Sequence, residues 1–153
     1  MTPGASPADP VAPAGSPPLV DGAYARRWAV AAAAAADERK GVDTVVIDVG
    51  DVLVVTDLFV ITHGNNARQV RSITEGVEEM VKQAGGPSPL RIEGADDRQW
   101  VLLDYGPFVV HVFDAERRSL YQLERLWGDC EVLDWQTAAD GPVPALGVQN
   151  LRG

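Results

Sequence analysis

Cysteine is nearly absent from this chain: Cys130 is the only one, so no intrachain disulfide can form and the chain cannot supply a multi-cysteine metal site by itself. Long apolar runs are missing too. The alanine block at 31–36 is short and is bounded by Arg26-Arg27 and Asp37-Glu38, far from the roughly 18 apolar residues that span a bilayer. Residues 1–18 lack the basic start and apolar centre of a signal peptide. These absences lead us to expect a protein of the reducing cytoplasm with no membrane association.

There is no basic run either. The formal charge is −9, and positions 21–135 hold 12 Lys and Arg against 20 Asp and Glu. Nucleic acid is bound mainly by neutralising phosphates, so direct DNA binding is not expected and a basic protein is the better partner. Phosphate loops of the Gly-x-Gly-x-x-Gly or Gly-Lys-Ser type are lacking. The two histidines, His63 and His111, stand outside any His-x-x-x-His or His-Glu pattern, and Cys130 has no evident histidine relay. No cofactor, metal site or catalytic residue is therefore expected, and the chain does not read as an enzyme.

Length and composition suit one domain with tails: 153 residues, 46% of them hydrophobic, are enough for a single core. Residues 1–20, with six prolines among Ala, Gly and Ser, bury too little apolar surface to fold and are expected as a disordered arm. Periodicity is lost again over 136–153, expected as a flexible tail. The domain is then 21–135. Within it, Asp21 can cap an alanine-rich helix over 22–40 that Gly41 ends at its C′ position. The β-branched run at 43–49 predicts a central strand, and 58–62 a second. Asn66 and Gln69 stand in capping-box spacing ahead of a helix with its apolar stripe at Ala67, Val70, Ile73, Val77, Met80 and Ala84.

A short strand is expected at 90–93, then a hairpin over 99–113. Asp114 caps a last helix to about Trp127, whose Leu120, Leu123 and Trp127 read as packing residues, and 131–135 adds an edge strand. The order αββαβββαβ implies a single mixed sheet packed with helices, an α/β sandwich.

The hairpin carries the most information. With Tyr105-Gly106 as a two-residue turn, position 104 faces 107, 102 faces 109 and 100 faces 111, and side chains alternate between faces. One face then holds Val101, Leu103, Phe108, Val110 and Val112, a core face. The other holds Trp100, Leu102, Asp104, Val109, His111 and Phe113, which is either covered by a helix or open to a partner. Trp100, Leu102, Asp104 and Tyr105 combine aromatic anchors with an acid able to pair with Arg or Lys. His111, beside Trp100, is either a core histidine or a hydrogen-bonded group titrating near neutral pH; His63 is expected in solvent at a strand end. Asp48, Asp51 and Asp57 are strand-end acids able to hold a divalent metal in a nucleotidyltransferase-like nucleotide-binding protein or enzyme, but the spacing Asp48-Val49-Gly50-Asp51 is not an Asp-x-Asp pair. Turn and capping roles account for them more simply.

Several motifs in one order resemble the ribosomal silencing factor family, also called Iojap-like proteins: Asp48-Val49, Thr56-Asp57-Leu58-Phe59-Val60-Ile61, Gly64 with Arg68-Gln69-Val70, Trp100-Val101-Leu102-Leu103-Asp104-Tyr105-Gly106, Val109-Val110-His111-Val112-Phe113, and Arg118 with Tyr121-Gln122-Leu123-Glu124-Arg125-Leu126-Trp127. The resemblance implies a mixed α/β fold, nucleotidyltransferase-like without its catalytic acids. It implies a translational repressor that binds ribosomal protein L-fourteen on the large ribosomal subunit, blocks joining of the small subunit when nutrients are scarce, and is often a homodimer. It also implies partner contacts at Trp100, Leu102, Leu103, Asp104 and Tyr105, although the alternation above buries Leu103. Gly106-Pro107-Phe108 departs from the Gly-Asp-Val or Gly-Asp-Ile common in the family.

Overall fold

The structure, a computed structural model, describes residues 22–50, 53 and 55–140; Asp21, Asp51 and the arm at 1–20 lie outside them. The buried side of helix α1 (Gly22–Glu38) is alanine apart from Trp28: Ala25, Ala29, Ala32, Ala33 and Ala36 are all buried. The helix ends in a Schellman motif, with the Gly41 N–H donating to Ala36 O at 2.7 Å and the Lys40 N–H to Asp37 O at 2.9 Å. The left-handed C′ residue is therefore Lys40, with φ 69°, not Gly41 as expected. Gly41 is needed for another reason: a Cβ there would lie 2.6 Å from Thr62 Oγ1 and 2.9 Å from Ala36 O.

Strands β1 (Val42–Asp48) and β2 (Leu58–Gly64) precede α2 (Ala67–Gln83). The expected N-cap forms, as Asn66 Oδ1 accepts from the Gln69 N–H at 2.8 Å, but the return bond of the capping box is displaced by one residue: Gln69 Oε1 accepts from the N–H of Asn65, before the cap, at 2.7 Å. Next come β3 (Arg91–Glu93), β4 (Trp100–Asp104), β5 (Phe108–Asp114), α3 (Ala115–Tyr121), α4 (Leu123–Leu126), β6 (Glu131–Leu133) and α5 (Trp135–Asp140). The six strands form one sheet in the order β3-β4-β5-β2-β1-β6. Only β2 and β5 run parallel; the other neighbours are antiparallel. The expected single mixed sheet packed with helices is the fold.

Alternation along the strands creates two cores. Val46, Leu58, Val60, Val101, Leu103, Phe108, Val110 and Val112 meet α1 and α2 on one side. Ile47, Phe59, Ile61, Val109 and Phe113 lie on the other, with Leu123, Trp127 and Cys130 packed over them.

Two segments differ from expectation. Residues 136–140 continue a helix, not a tail, because Trp135 is buried in the first core and its indole N–H donates to Thr44 O at 2.9 Å. The expected single helix after Asp114 is broken at Gln122, which is left-handed at φ 47° and ψ 49°. This turn redirects the chain, so Leu123 and Trp127 reach the second core while Leu120 stays 68% exposed. Leu120 is not a packing residue.

Candidate protein-interaction face

The site rests on the β4–β5 hairpin. Its register pairs Trp100 with Phe113, Leu102 with His111 and Asp104 with Val109, so the turn is Gly106-Pro107, one residue later than expected. Chemistry explains the choice. Pro107 has no N–H with which to close a 104–107 pair, and Gly106 takes φ 95° at the first central position, where a type II′ turn needs glycine. The Tyr105 N–H donates to Phe108 O at 3.0 Å, and Asp104 Oδ1 accepts from the Gly106 N–H at 2.9 Å. The pairing has moved by two residues, which leaves every side chain on its expected face.

That shift takes Tyr105 out of the centre of the turn and sets it just past the end of β4, opposite Phe108. It is buried on the core face, stacked on Phe108 with ring centroids 4.5 Å apart. Burial, with Glu78 adding its charge, pushes its phenol well above the ordinary range. Leu103 is fully buried on the same face. Of the five residues expected to touch a partner, Trp100, Leu102 and Asp104 therefore offer surface on the opposite face, each half-buried. Leu103 and Tyr105 lie beneath them in the core.

Trp100 is the centre of the open part. Its indole N–H donates to His111 Nδ1 at 3.1 Å, and its ring lies 4.8 Å from Phe113 and 5.0 Å from Tyr121, centroid to centroid. Accepting that bond leaves the proton of neutral His111 on Nε2, which has no hydrogen-bond partner; the imidazole stands edge-on to Phe59 at 4.6 Å. His111 is buried, and burial pushes its pKa down to about 4. It is a core histidine and does not titrate near neutral pH.

His63 is likewise not free in solvent. Its Nδ1 accepts from Arg118 Nη1 at 3.2 Å, and burial, with the adjacent guanidinium second, lowers its pKa. Arg118, only 7% exposed, also donates to Val42 O, Asp43 O and Glu124 Oε2 at 3.3, 2.7 and 3.0 Å. These bonds tie α3 and α4 to the bulged start of β1, where Asp43 is left-handed at φ 49°. The α3–α4 segment is thereby held over the second core.

It covers that face only in part. Tyr121, 50% exposed with its ring against Trp100 and Phe113, adds apolar surface to this face that sequence reasoning missed, and Leu126 in α4 is 71% exposed. The signal was available: five apolar residues among positions 120–127 are more than one helical stripe can bury. At the outer edge, Asp104 Oδ2 accepts from Arg91 Nη2 at 3.3 Å, and Arg91 Nη1 lies 3.4 Å from Glu93 Oε2. The face is an indole and a leucine, each packed against the second core but keeping some surface, with an acid at the far edge, aromatic and apolar groups of the kind that protein-docking patches use.

The strand-end acids show a different chemistry. Asp48 Oδ1 accepts from the Gly50 N–H at 3.0 Å, the turn role expected of it, and Oδ2 meets Arg26 Nη2 at 2.9 Å, an ion pair that was not expected. Asp57 is exposed where its backbone N–H donates to Pro107 O at 2.9 Å. Among the described residues, no three His, Cys, Asp or Glu side chains converge as metal ligands do. No helix among them is long and apolar enough to cross a membrane.

Comparison with known proteins adds a direct finding. The family described as "Ribosomal silencing factor during starvation" matches residues 23–146. A Bacillus subtilis protein named "Ribosomal silencing factor RsfS" is 40% identical over 103 residues, which cover 67% of this chain and 86% of that protein. One of the same name from Halalkalibacterium halodurans is 37% identical over 100 residues, 65% of this chain and 85% of its own. A crystal structure of a Chromobacterium violaceum protein superposes with a TM-score of 0.64 at 30% identity, covering 67% of this chain and 85% of that one.

Proposed function

The chain belongs to the ribosomal silencing factor family, and from that membership we propose that it lowers translation under nutrient limitation by occupying the large ribosomal subunit. It binds ribosomal protein L-fourteen there and sterically blocks joining of the small subunit. Occlusion needs no catalytic group and no turnover. The observation that carries the reading is the Trp100 indole, held by His111 at the margin of an apolar patch, with Leu102 and then Asp104 following it along the same face of β4 on a chain of net charge −9.

A partly exposed aromatic and an acid on one strand face suit a basic protein partner. Burying the aromatic at an interface centre contributes about 2 kcal/mol or more, and complementary charge speeds association and makes it salt-sensitive. Trp100, Leu102 and Asp104 make the contacts. Leu103 and Tyr105 act from beneath, by fixing the strand and turn that present them. The test is sedimentation with purified large subunits, followed by light scattering of subunit joining. The protein travels with large subunits and suppresses joining, and Trp100→Ala with Asp104→Arg together abolish both effects. Failure of the unaltered protein to travel with large subunits, or unchanged binding by the double variant, refutes the proposal.

A further inference from the structure

The acid proposed to meet a basic partner is already occupied in the free chain. Asp104 Oδ1 is spent inside the hairpin turn on the Gly106 N–H, so Oδ2 is the outward oxygen, and Arg91 Nη2 sits on it at 3.3 Å. Register places Arg91 opposite Asp104 and Glu93 opposite Leu102, so both β3 side chains share the face that presents Trp100 and Leu102. Arg91 is also 3.4 Å from Glu93. The side chains of Arg91 and Glu93 are 63% and 56% exposed, that of Asp104 23%.

We propose that Arg91 is a built-in competitor for the acidic edge: a partner's cation reaches Asp104 only by displacing this guanidinium, and Glu93 is the second acid that retains it. The inference rests on the reading that this edge docks a basic protein. Exposed ion pairs of this kind contribute little net stability, so the lock is weak enough for a well-placed partner cation to open. It is strong enough to disfavour a badly placed one. Selectivity would then come from a repulsive element, the positive charge of Arg91, as well as from the attraction of Asp104. Glu93 lowers the cost of opening, since Arg91 keeps one carboxylate when it leaves the other.

The experiment titrates the full chain against purified large subunits at low and high salt. Arg91→Gln binds roughly three-fold more tightly than the unaltered protein at low salt, and Arg91→Lys, which keeps the charge, stays near it. The gain from Arg91→Gln vanishes in an Asp104→Asn background, where the turn acceptor is retained but the charge is gone. Glu93→Gln binds about two-fold more weakly. Equal or weaker binding by Arg91→Gln, with the unaltered protein binding normally, overturns the inference and leaves the proposed function standing. Absence of binding by the unaltered protein overturns both.

Discussion

His111 makes mild acid a specific test of the second core. The imidazole is 4% exposed and burial holds its pKa at about 4, against an ordinary 6.5. As pH falls below the ordinary value, the unfolded chain takes up a proton that the folded chain refuses, so unfolding is increasingly favoured. The stability contributed by neutral His111 is therefore fully present above the unfolded pKa and is lost as pH falls through the folded one. Each pKa unit corresponds to about 1.4 kcal/mol, giving a loss of about 3 kcal/mol across the window from 6.5 to about 4. The assay is urea unfolding of the unaltered chain and of His111→Gln at pH values from about 7 to about 4.5. The replacing amide does not titrate, and carboxylates titrate alike in both proteins and cancel in the difference. The unaltered chain should lose about 2–3 kcal/mol relative to the variant across that range. Parallel curves would refute the assignment of His111 as a buried neutral group.

Neighbouring leucines of β4 should separate folding from binding. Leu103→Ala empties a fully buried site and costs about 2–5 kcal/mol of stability, read by urea unfolding, while its folded fraction binds large subunits within two-fold of the unaltered chain. Leu102→Ala, on the half-exposed face, should do the reverse, with little change in stability and a clear loss of binding. At the break between α3 and α4, Gln122→Gly relieves a left-handed non-glycine residue and should stabilise by about 0.5–1 kcal/mol, whereas Gln122→Ala should bring no such gain. Thermal unfolding compares the two.

The legible parts were those governed by local periodicity and short-range polar chemistry. The Asn66 N-cap and Asp114, whose Oδ1 accepts from the Arg117 N–H at 2.7 Å, depend on residues within one turn of each other. Both stand where spacing placed them. The two faces of the hairpin were equally legible, since parity survives a register shift of two. What escaped was set at longer range. The Tyr105 ring became a core element because Pro107 moved the turn, and Gln122 broke a helix whose two halves serve different neighbours. Trp135 extended the domain past its expected end by reaching a carbonyl 91 residues away in sequence.

Alternation and capping are properties of neighbouring residues, so the order of residues along the chain was enough to specify a mixed α/β domain, its strand faces, its acidic charge and the hairpin residues from which a partner surface could be built. Which of those residues face outward was settled by packing in three dimensions. Trp100, Leu102 and Asp104 keep surface while Leu103 and Tyr105 lose it, and His111 is neutral rather than poised near pH 7. Each outcome depends on what α3, α4 and the turn bring over the hairpin, and burial and solvation are fixed by neighbours in space.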